Sequence, residues 1–580
     1  MSRTPMLGTY ISYRDVTGKP CTIDSLKEFL SKYKRSEVLH LSSFLNAALE
    51  SWSGTGREEV HVRLIEFAFP PEHATILKQL ISSSSHPRLV FHRAQLLFVA
   101  KQALCSCRED EETVLDMFRQ PYWGGFGLAF LMANDLLHFE FPNRDGTAEQ
   151  QALIRMAHSI PLLESGPTNI PNKIGRAWLM LKTFGPPAES KNYFKIEEAF
   201  QLTTGLSTDD YLAFCVGMIS HYLGITFEQL EKRKESIGLS KDWFKRPHID
   251  FALIDAFLKD VSAPPATLAD NFSSRDWGPL DMTWFRDKPV CMLKGSILVA
   301  MDARLLSEKL ESGVFWRVHS SLDKAKDKER LHIHWGITFE NYMNWLLGQA
   351  CRNSRNIFHA SPKYPNGEEV CDAIIVCGDC AVLLEYKGST FTAESKYRGD
   401  LNELAIEIND NLVGSETRRK GIRQLAKSIL TVFDKETPAE ITGIDLSRIT
   451  TIFPVIVTRD DIGGCWGISS YLQMQADKFF NRRKLRPRTV TPIFCLSSEG
   501  IETLSGELQN KRMTDLLEGW YKNDRRISWS FQTIDNSAIR SGSFEKNTEL
   551  NTAFLAVFEN AAHVLFPGTK SDHHEAEQST

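Results

Sequence analysis

Long apolar runs are missing from this 580-residue chain. No stretch approaches the roughly 18 consecutive apolar residues that cross a bilayer, and residues Met1 to Asp15 lack the apolar core of a signal peptide. Eleven cysteines, an odd number, are scattered along the chain, which favours reduced thiols over a disulfide framework. We therefore expect a cytoplasmic protein without membrane contact.

An excess of basic residues is also missing. The 68 Lys and Arg residues are outnumbered by 73 Asp and Glu residues, for a net charge of −5. A nucleic-acid partner would therefore need a local basic surface. The hydrophobic (42%) and charged (24%) fractions are those of a globular protein and exclude a disordered, collagen-like or coiled-coil chain. The length predicts two to four domains.

Phosphate-binding loops are absent as well. No Gly-x-x-x-x-Gly-Lys-Ser/Thr motif occurs. The glycine cluster at Gly124 to Gly127 lacks the spacing and the preceding strand of a dinucleotide fold, so it predicts a turn between helices. We expect no ATPase in this chain.

The chain has two parts with different sequence patterns. From about Ser25 to Asn271, apolar residues recur at three- and four-residue spacing, which predicts helices. Loop signals fill Ser262 to Pro279, and strands and helices alternate beyond them. The pattern predicts an all-helical domain over residues 1–276, an α/β domain over 280–567, and a disordered tail over 568–580.

The α/β half has recognisable strand and helix patterns. The predicted strands are Val290–Leu293, Ser296–Ala300, Val370–Cys377, Cys380–Lys387, Thr451–Thr458 and Thr489–Leu496. The predicted helices are Asp302–Leu310, Phe339–Cys351 and Arg418–Val432.

One predicted β-hairpin contains the candidate catalytic residues. Gly378-Asp379, between two β-prone runs, predicts a type II′ turn. If Cys377 and Cys380 flank that turn, paired residue numbers sum to 757, and Asp372 lies opposite Glu385. This pair falls at a non-hydrogen-bonded site, where Cβ atoms are about 5 Å apart.

Two facing carboxylates in an apolar hairpin need a partner. Their repulsion is roughly 3 kcal/mol at an effective dielectric of 20. A divalent metal would turn it into attraction, and carboxylate oxygens suit Mg²⁺ or Mn²⁺. Lys387 lies on the same strand face as Glu385, where its ammonium could orient the attacking water or stabilise charge on a phosphate. The alternative is a solvated sheet rim on which Lys387 forms a salt bridge.

Asp372 followed by Glu385-Tyr386-Lys387 resembles the PD-(D/E)XK nuclease superfamily over roughly Leu331 to Leu496. Cys371 stands where the family has proline. The resemblance implies a restriction-endonuclease-like α/β domain with a mixed central sheet. It also implies an acidic residue from the first helix, matched by Glu340, and polar or basic residues from a later helix, matched by Lys420, Gln424 and Lys427.

What the resemblance implies is a Mg²⁺- or Mn²⁺-dependent endonuclease that hydrolyses phosphodiester bonds. Asp372, Glu385 and Glu340 would hold the metal, Lys387 would assist the attacking water, and Gln424 would orient water or a phosphate oxygen. We expect DNA as substrate and a homo-oligomer, with the helical half as a recognition, sensing or assembly module. The architecture resembles bacterial restriction or antiphage effectors.

A basic segment could bind the nucleic-acid backbone. Six cations lie between Lys478 and Arg488, among them Arg482, Arg483 and Lys484. Arg419 and Lys420 fall on the predicted helix Arg418–Val432, which is expected beside the site. A merely solvated basic loop is the alternative for the segment.

Other interpretations stay open. Cys377-x-x-Cys380 could be half of a zinc site or a redox pair. His332-x-His334 on a strand would place both rings on one face, as a metal or substrate site or as plain surface. The whole domain could be a non-catalytic scaffold for nucleic acid or protein, and RNA could replace DNA as substrate.

Overall fold

The computed structural model describes residues 9–51, 57–83, 88–109, 117, 121–137, 146–163, 169–224, 238–275, 277–417, 420–480, 485–523 and 547–567. Among these residues, no helix combines the length and the apolar composition that a bilayer crossing requires. The expected tail (568–580) and four predicted nucleic-acid contacts lie outside the described residues. Those contacts are Arg419, Arg482, Arg483 and Lys484.

The first half is helical, as its apolar spacing predicts. Its α-helices are α1 (Tyr13–Thr17), α2 (Ile23–Leu30), α3 (Arg35–Ser51), α4 (Arg57–Ala68), α5 (Pro71–Ser82), α6 (Arg93–Ser106), α7 (Gly127–Leu136), α8 (Ala148–Leu163), α9 (Ile170–Lys182), α10 (Ile196–Thr204), α11 (Thr208–Leu223), α12 (Phe251–Val261) and α13 (Pro265–Ser274). The Gly124 region forms a turn, Pro121–Gly125, just before α7, and Tyr122, Trp123 and Gly124 in it have positive φ.

Short strands interrupt these helices. They are β1 (Thr9–Tyr10), β2 (Arg88–Leu89), β3 (Leu239–Ser240) and β4 (Ser262–Ala263). Two predicted strands of the second half, β5 (Val290–Leu293) and β6 (Ile297–Ala300), join β3 and β4 in one sheet of order β3-β6-β5-β4. These strands therefore belong to a layer built partly by the helical half. The boundary at 276–280 stays a prediction.

The second half contains further helices and the central sheet. Its helices are α14 (Thr283–Asp287), α15 (Ala303–Glu308), α16 (Val314–Ser321), α17 (Ala325–Ala350), α18 (Ala393–Tyr397), α19 (Leu401–Ile408), α20 (Gly421–Phe433), α21 (Ile468–Asp477), α22 (Ser498–Glu507), α23 (Met513–Asn523) and α24 (Thr548–Leu565). The remaining strands are β7 (Ile357–Ala360), β8 (Ala373–Cys377), β9 (Cys380–Lys387), β10 (Thr451–Thr458), β11 (Thr489–Val490) and β12 (Phe494–Ser497).

The central sheet is mixed and has six strands. β7, β8 and β9 form an antiparallel meander, and β10 runs parallel to β9 after the chain has crossed through α20. β11 and β12 both pair with β10. Along the chain, the long helix α17 precedes the three-stranded meander, and α18, α19 and α20 lie between β9 and the parallel strand β10.

Side chains from both faces of this sheet are buried, because successive residues of a strand point to opposite sides. Ile375, Val382 and Leu384 belong to a core that also contains residues of α9, α11 and α24. Ile374 and Leu383 belong to a second core, which contains the apolar face of α20. By the same alternation, Asp372, Glu385 and Lys387 fall on the α20 side of the sheet.

Several predicted elements have different bounds, among them the strand expected from Val370, which begins at Ala373 as β8 and leaves Asp372 just before it. The helix expected from Phe339 begins at Ala325, so His332 and His334 lie in a helix and the predicted strand there is wrong. Buried residues at helical spacing (Leu331, Trp335, Phe339) extend the apolar face of this helix toward its N-terminus. The strand expected over Thr489–Leu496 is divided into β11 and β12. Pro492 lies between them and has no N–H to donate to the ladder.

Candidate metal centre

The β8–β9 hairpin has the register that the sequence predicts. Its five ladder pairs run from Cys377–Cys380 to Ala373–Leu384, and the residue numbers of each pair sum to 757. Gly378 has φ +68°, and a type II′ turn needs a positive φ at its first central residue. The prediction of this hairpin is confirmed.

Asp372 lies just beyond the last ladder pair, at the open end of the hairpin. Continued by one step, the register would place it opposite Glu385. Its Oδ2 accepts the backbone N–H of Tyr386 at 2.5 Å. In a regular ladder that N–H would bond to the carbonyl of Cys371. The aspartate side chain therefore closes the hairpin in place of the backbone.

Glu385 and Lys387 form a buried ion pair on β9. Lys387 Nζ donates to Glu385 Oε1 at 2.5 Å, and Glu385 is only 1% exposed. The second carboxylate oxygen, Oε2, is buried without a hydrogen-bond partner. Leaving a buried acceptor unsatisfied costs about 1–3 kcal/mol. The sheet therefore holds an acceptor that its own donors do not satisfy.

A second acidic group meets Asp372 from outside the hairpin. One carboxylate oxygen each of Glu340, Glu369 and Asp372 lies within 4.8 Å of the others. Glu340 comes from α17, and Glu369 comes from the loop before β8, where it forms a β-bridge with Lys363. Glu369 was missed in the sequence; its only signal was an acidic residue three positions before Asp372. Within the described residues, Glu385 is outside this group of three.

Burial and mutual repulsion disfavour ionisation of these carboxyls. Burial raises the pKa of Glu385 to about 8, and Asp372 adds to the shift although Lys387 opposes it. Burial, with repulsion from Asp372 and Glu369, raises the pKa of Glu340 to about 7. The pKa values of Asp372 and Glu369 are also raised, chiefly by burial. Four carboxyl groups thus face two ammonium groups, that of Lys387 and, beside Glu369, that of Lys363.

The predicted polar helix packs against the hairpin. Ser428 of α20 donates its hydroxyl to the carbonyl of Val370, two residues before Asp372. Gln424 lies one turn earlier on α20 and is half-buried, whereas Lys427 is exposed. Lys420 is the N-cap residue of the helix. The roles of these three residues in the site stay predictions.

The basic segment has one residue with a structural role. Arg488 donates to the carbonyls of Phe433, Lys435 and Glu436, at and just beyond the C-terminus of α20. A cation there stabilises the helix end. Arg488 is therefore already engaged with the protein itself, and the phosphate-binding role predicted for the segment rests on its other cations.

The cysteine and histidine candidates have ordinary surroundings. Cys377 and Cys380 are free thiols that face each other across the hairpin turn, and Cys377 Sγ contacts Asn356 Oδ1 at 3.1 Å. His334 Nδ1 accepts the backbone N–H of Phe194 at 3.0 Å, and burial lowers its pKa to about 4. Among the residues that the structure describes, the acidic trio is the one cluster of potential ligands this tight.

Comparisons with protein-family models, curated proteins and solved structures found no match to this chain. Its function must therefore be inferred from the geometry of its own residues.

Proposed function

We propose that this protein is a metal-dependent nuclease that hydrolyses phosphodiester bonds, with DNA as the favoured substrate. The observation that carries the proposal is the convergence of Glu340, Glu369 and Asp372 within 4.8 Å, beside the buried Glu385–Lys387 pair. The succession of α17, the strands β7–β9 and the later helix α20 supports it, since the PD-(D/E)XK resemblance implies a helix, three or more strands and a second helix. Homo-oligomer formation and control by the helical half are part of the same proposal.

The residues present fit a divalent metal. All the donors are carboxylate oxygens, which Mg²⁺ and Mn²⁺ prefer. Four carboxyls against the ammonium groups of Lys387 and Lys363 leave an excess of two negative charges when all are ionised. A cation beside Asp372 would favour the ionised form of these carboxyls, whose pKa values are raised first by burial and, for Glu340, Glu369 and Glu385, also by repulsion from Asp372. It would also offer a partner to the buried Oε2 of Glu385.

In this proposal Asp372, Glu340 and Glu369 would hold the metal, with Glu385 at its side. When bound, such an ion supplies Lewis-acid stabilisation of charge on the phosphate and a more acidic water. Lys387 keeps its proton because its carboxylate neighbours raise its pKa despite burial. Its ammonium can therefore stabilise negative charge that develops on the phosphate oxygens.

The direct test combines calorimetry with cleavage assays. Asp372→Asn should weaken Mn²⁺ binding at least tenfold and reduce Mn²⁺-dependent cleavage of plasmid and oligonucleotides by about 100-fold or more, since a metal contributes several kcal/mol to such a reaction. Asp379→Asn, in the turn at the opposite end of the same hairpin, is the matched control and should change neither. A wild-type protein that binds no Mn²⁺ would instead be the non-catalytic scaffold.

Metal binding should depend on pH. Protons compete with the metal for the carboxyls, and the pKa values of Glu340 and Glu385 are about 7 and 8. Mn²⁺ affinity should therefore rise between pH 6 and 8.5, with proton release on binding near pH 7. Titration calorimetry in two buffers of different ionisation enthalpy measures that release. Binding independent of both pH and buffer would contradict this charge arrangement.

A further inference from the structure

Three aromatic side chains form an exposed group on α16 and α17. We name Trp316, His319 and His332 the ring cluster. The ring of His319 contacts both the ring of Trp316 and the ring of His332. The ring centroids are 5.3 Å apart for Trp316–His319 and 5.2 Å apart for His319–His332, with edge-on geometry in both pairs. Trp316 is 37% exposed, and His332 is also exposed. Large aromatic surface is thus presented to solvent at one place.

The ring cluster is held from beneath. Phe315, which is buried, lies 5.2 Å from the ring of His332 and 6.0 Å from the ring of His319. Phe315 also contacts Trp335, and the guanidinium of Arg459 lies over both rings at 5.5 Å. Rings that are already fixed lose little conformational entropy when a ligand stacks on them.

The ring cluster adjoins the candidate metal centre. His332 and Glu340 lie on the same helix, and eight residues of helix span about 12 Å. Between them, Gly336 packs so closely against Gly388 that a Cβ on Gly388 would come 3.0 Å from the Gly336 Cα. Arg459 donates its backbone N–H to the carbonyl of Lys387 at 2.9 Å. The same residues therefore join the aromatic surface to the end of β9.

The surroundings of the ring cluster suit a ligand that carries both negative charges and planar rings. The segment that leads into α17 carries Lys324, Lys326, Lys328 and Arg330 among Asp323, Asp327 and Glu329, an excess of one positive charge, and the charge of Lys328 acts on His319. Burial, with help from the nearby Lys328 and Arg459 charges, lowers the pKa values of His319 and His332. The imidazoles are therefore neutral at pH 7, which suits stacking, while the lysines can meet phosphates.

We propose that the ring cluster binds unpaired nucleobases of a single-stranded nucleic acid, next to the bond that the metal centre would cleave. In a duplex the base faces are covered by their neighbours, so exposed protein rings can stack only on splayed or single-stranded bases. The 12 Å to Glu340 corresponds to roughly three to four nucleotides at the 3.4 Å spacing of a stacked strand. This inference names the substrate class and rests on the proposed nuclease function.

The test measures binding separately from cleavage. Fluorescence anisotropy, with Ca²⁺ in place of Mn²⁺, compares four 20-residue probes: oligothymidine, oligouridine, an abasic strand of the same length, and a duplex. Wild-type protein should bind either single strand at least tenfold more tightly than the abasic strand or the duplex. Trp316→Ala and His332→Ala should each lower the preference for base-bearing single strands about tenfold. Tyr521→Ala, at another exposed aromatic residue, should remove none.

The outcomes separate the two proposals. Equal binding of abasic and base-bearing strands, or unchanged binding by both ring variants, would overturn the ring-cluster assignment even if Mn²⁺-dependent cleavage occurs. Base-dependent binding that both ring variants lose, in a protein without any cleavage, would support the ring cluster and reject the nuclease. A preference for oligouridine over oligothymidine would keep the assignment and favour RNA as the polymer. Since Trp316 and His332 are exposed, both variants should fold, which near-ultraviolet circular dichroism checks.

Discussion

Lys387→Met should reduce Mn²⁺-dependent cleavage by about 100- to 1,000-fold while leaving Mn²⁺ binding intact or tighter. Removing a single preorganised donor from a transition-state site typically has an effect of that size. The metal should still bind, because losing the ammonium of Lys387 leaves the carboxyl cluster more negative. Single-turnover cleavage and titration calorimetry on the same preparation separate the two effects.

The Lys387 variant should also fold. Methionine fills a similar volume, and Glu385, whose pKa is already about 8, can stay protonated and neutral at pH 7. Lys522→Met is the matched control, because it removes an ion pair of similar length, 2.8 Å to Glu518, from an exposed surface. Its cleavage rate should stay within about twofold of wild type. Cleavage by Lys387→Met at a rate near the wild-type value would remove the lysine from the mechanism.

Arg176→Met should destabilise the protein by about 3–5 kcal/mol, the typical effect of removing one partner from a buried ion pair. Arg176 of α9 donates to Glu502 Oε1 at 2.5 Å and to Glu311 Oε2 at 2.8 Å. Tyr342 also donates to Glu502, and Arg459 lies 3.5 Å from Glu311. The variant would leave two buried carboxyls without their main cation. Denaturant unfolding followed by circular dichroism measures the loss.

The size of this loss should depend on pH. Burial raises the pKa of Glu502 to about 7, although Arg176 opposes the shift. Because the folded pKa is above the unfolded value, this group's contribution to stability declines as pH rises from about 4.5 toward 7. Without Arg176 the pKa of Glu502 in the folded protein rises further. The decline in stability with rising pH therefore extends to higher pH. At pH 5 Glu502 is neutral in both proteins, and the difference in stability should be smaller than at pH 8.

Two further variants control the Arg176 experiment. Lys195→Met removes the exposed pair with Glu198 and should leave the free energy of unfolding nearly unchanged, since solvent screens such pairs. Adding Glu502→Gln to Arg176→Met should recover part of the lost stability, because it removes one of the unpaired carboxyls. Equal stability of Arg176→Met and wild type at pH 8 would show that the network contributes little to the fold.

Much of the candidate site was predictable because it is local in sequence. The bounds of β9 and β10 and the register of the β8–β9 hairpin follow from apolar alternation and from the turn at Gly378. The convergence of Glu340 with Asp372 was predicted through the family resemblance. Glu369 was missed, since a residue in a turn-rich loop has no periodicity that would indicate which way it faces.

Errors arose where distant segments decide the structure. His332 and His334 alternate as in a strand, yet the buried face of α17 includes His334 and extends to Leu331. Packing against the rest of the core prevails over such a short pattern. The pairing of β5 and β6 with β3 and β4 similarly depends on segments about 30 to 60 residues away. No local signal specifies that choice.

By itself, the amino-acid sequence determined that the first half is mainly helical. It also determined the β8–β9 hairpin and the acidic and basic side chains along it. These features depend on residues a few positions apart, whose spacing is set by backbone geometry. Only the tertiary structure decided which carboxyl from another loop joins Asp372, which rings pack against Arg459, and how Arg176 links α9 to α22. Such contacts depend on how separate apolar surfaces pack together, and packing is a property of the whole chain.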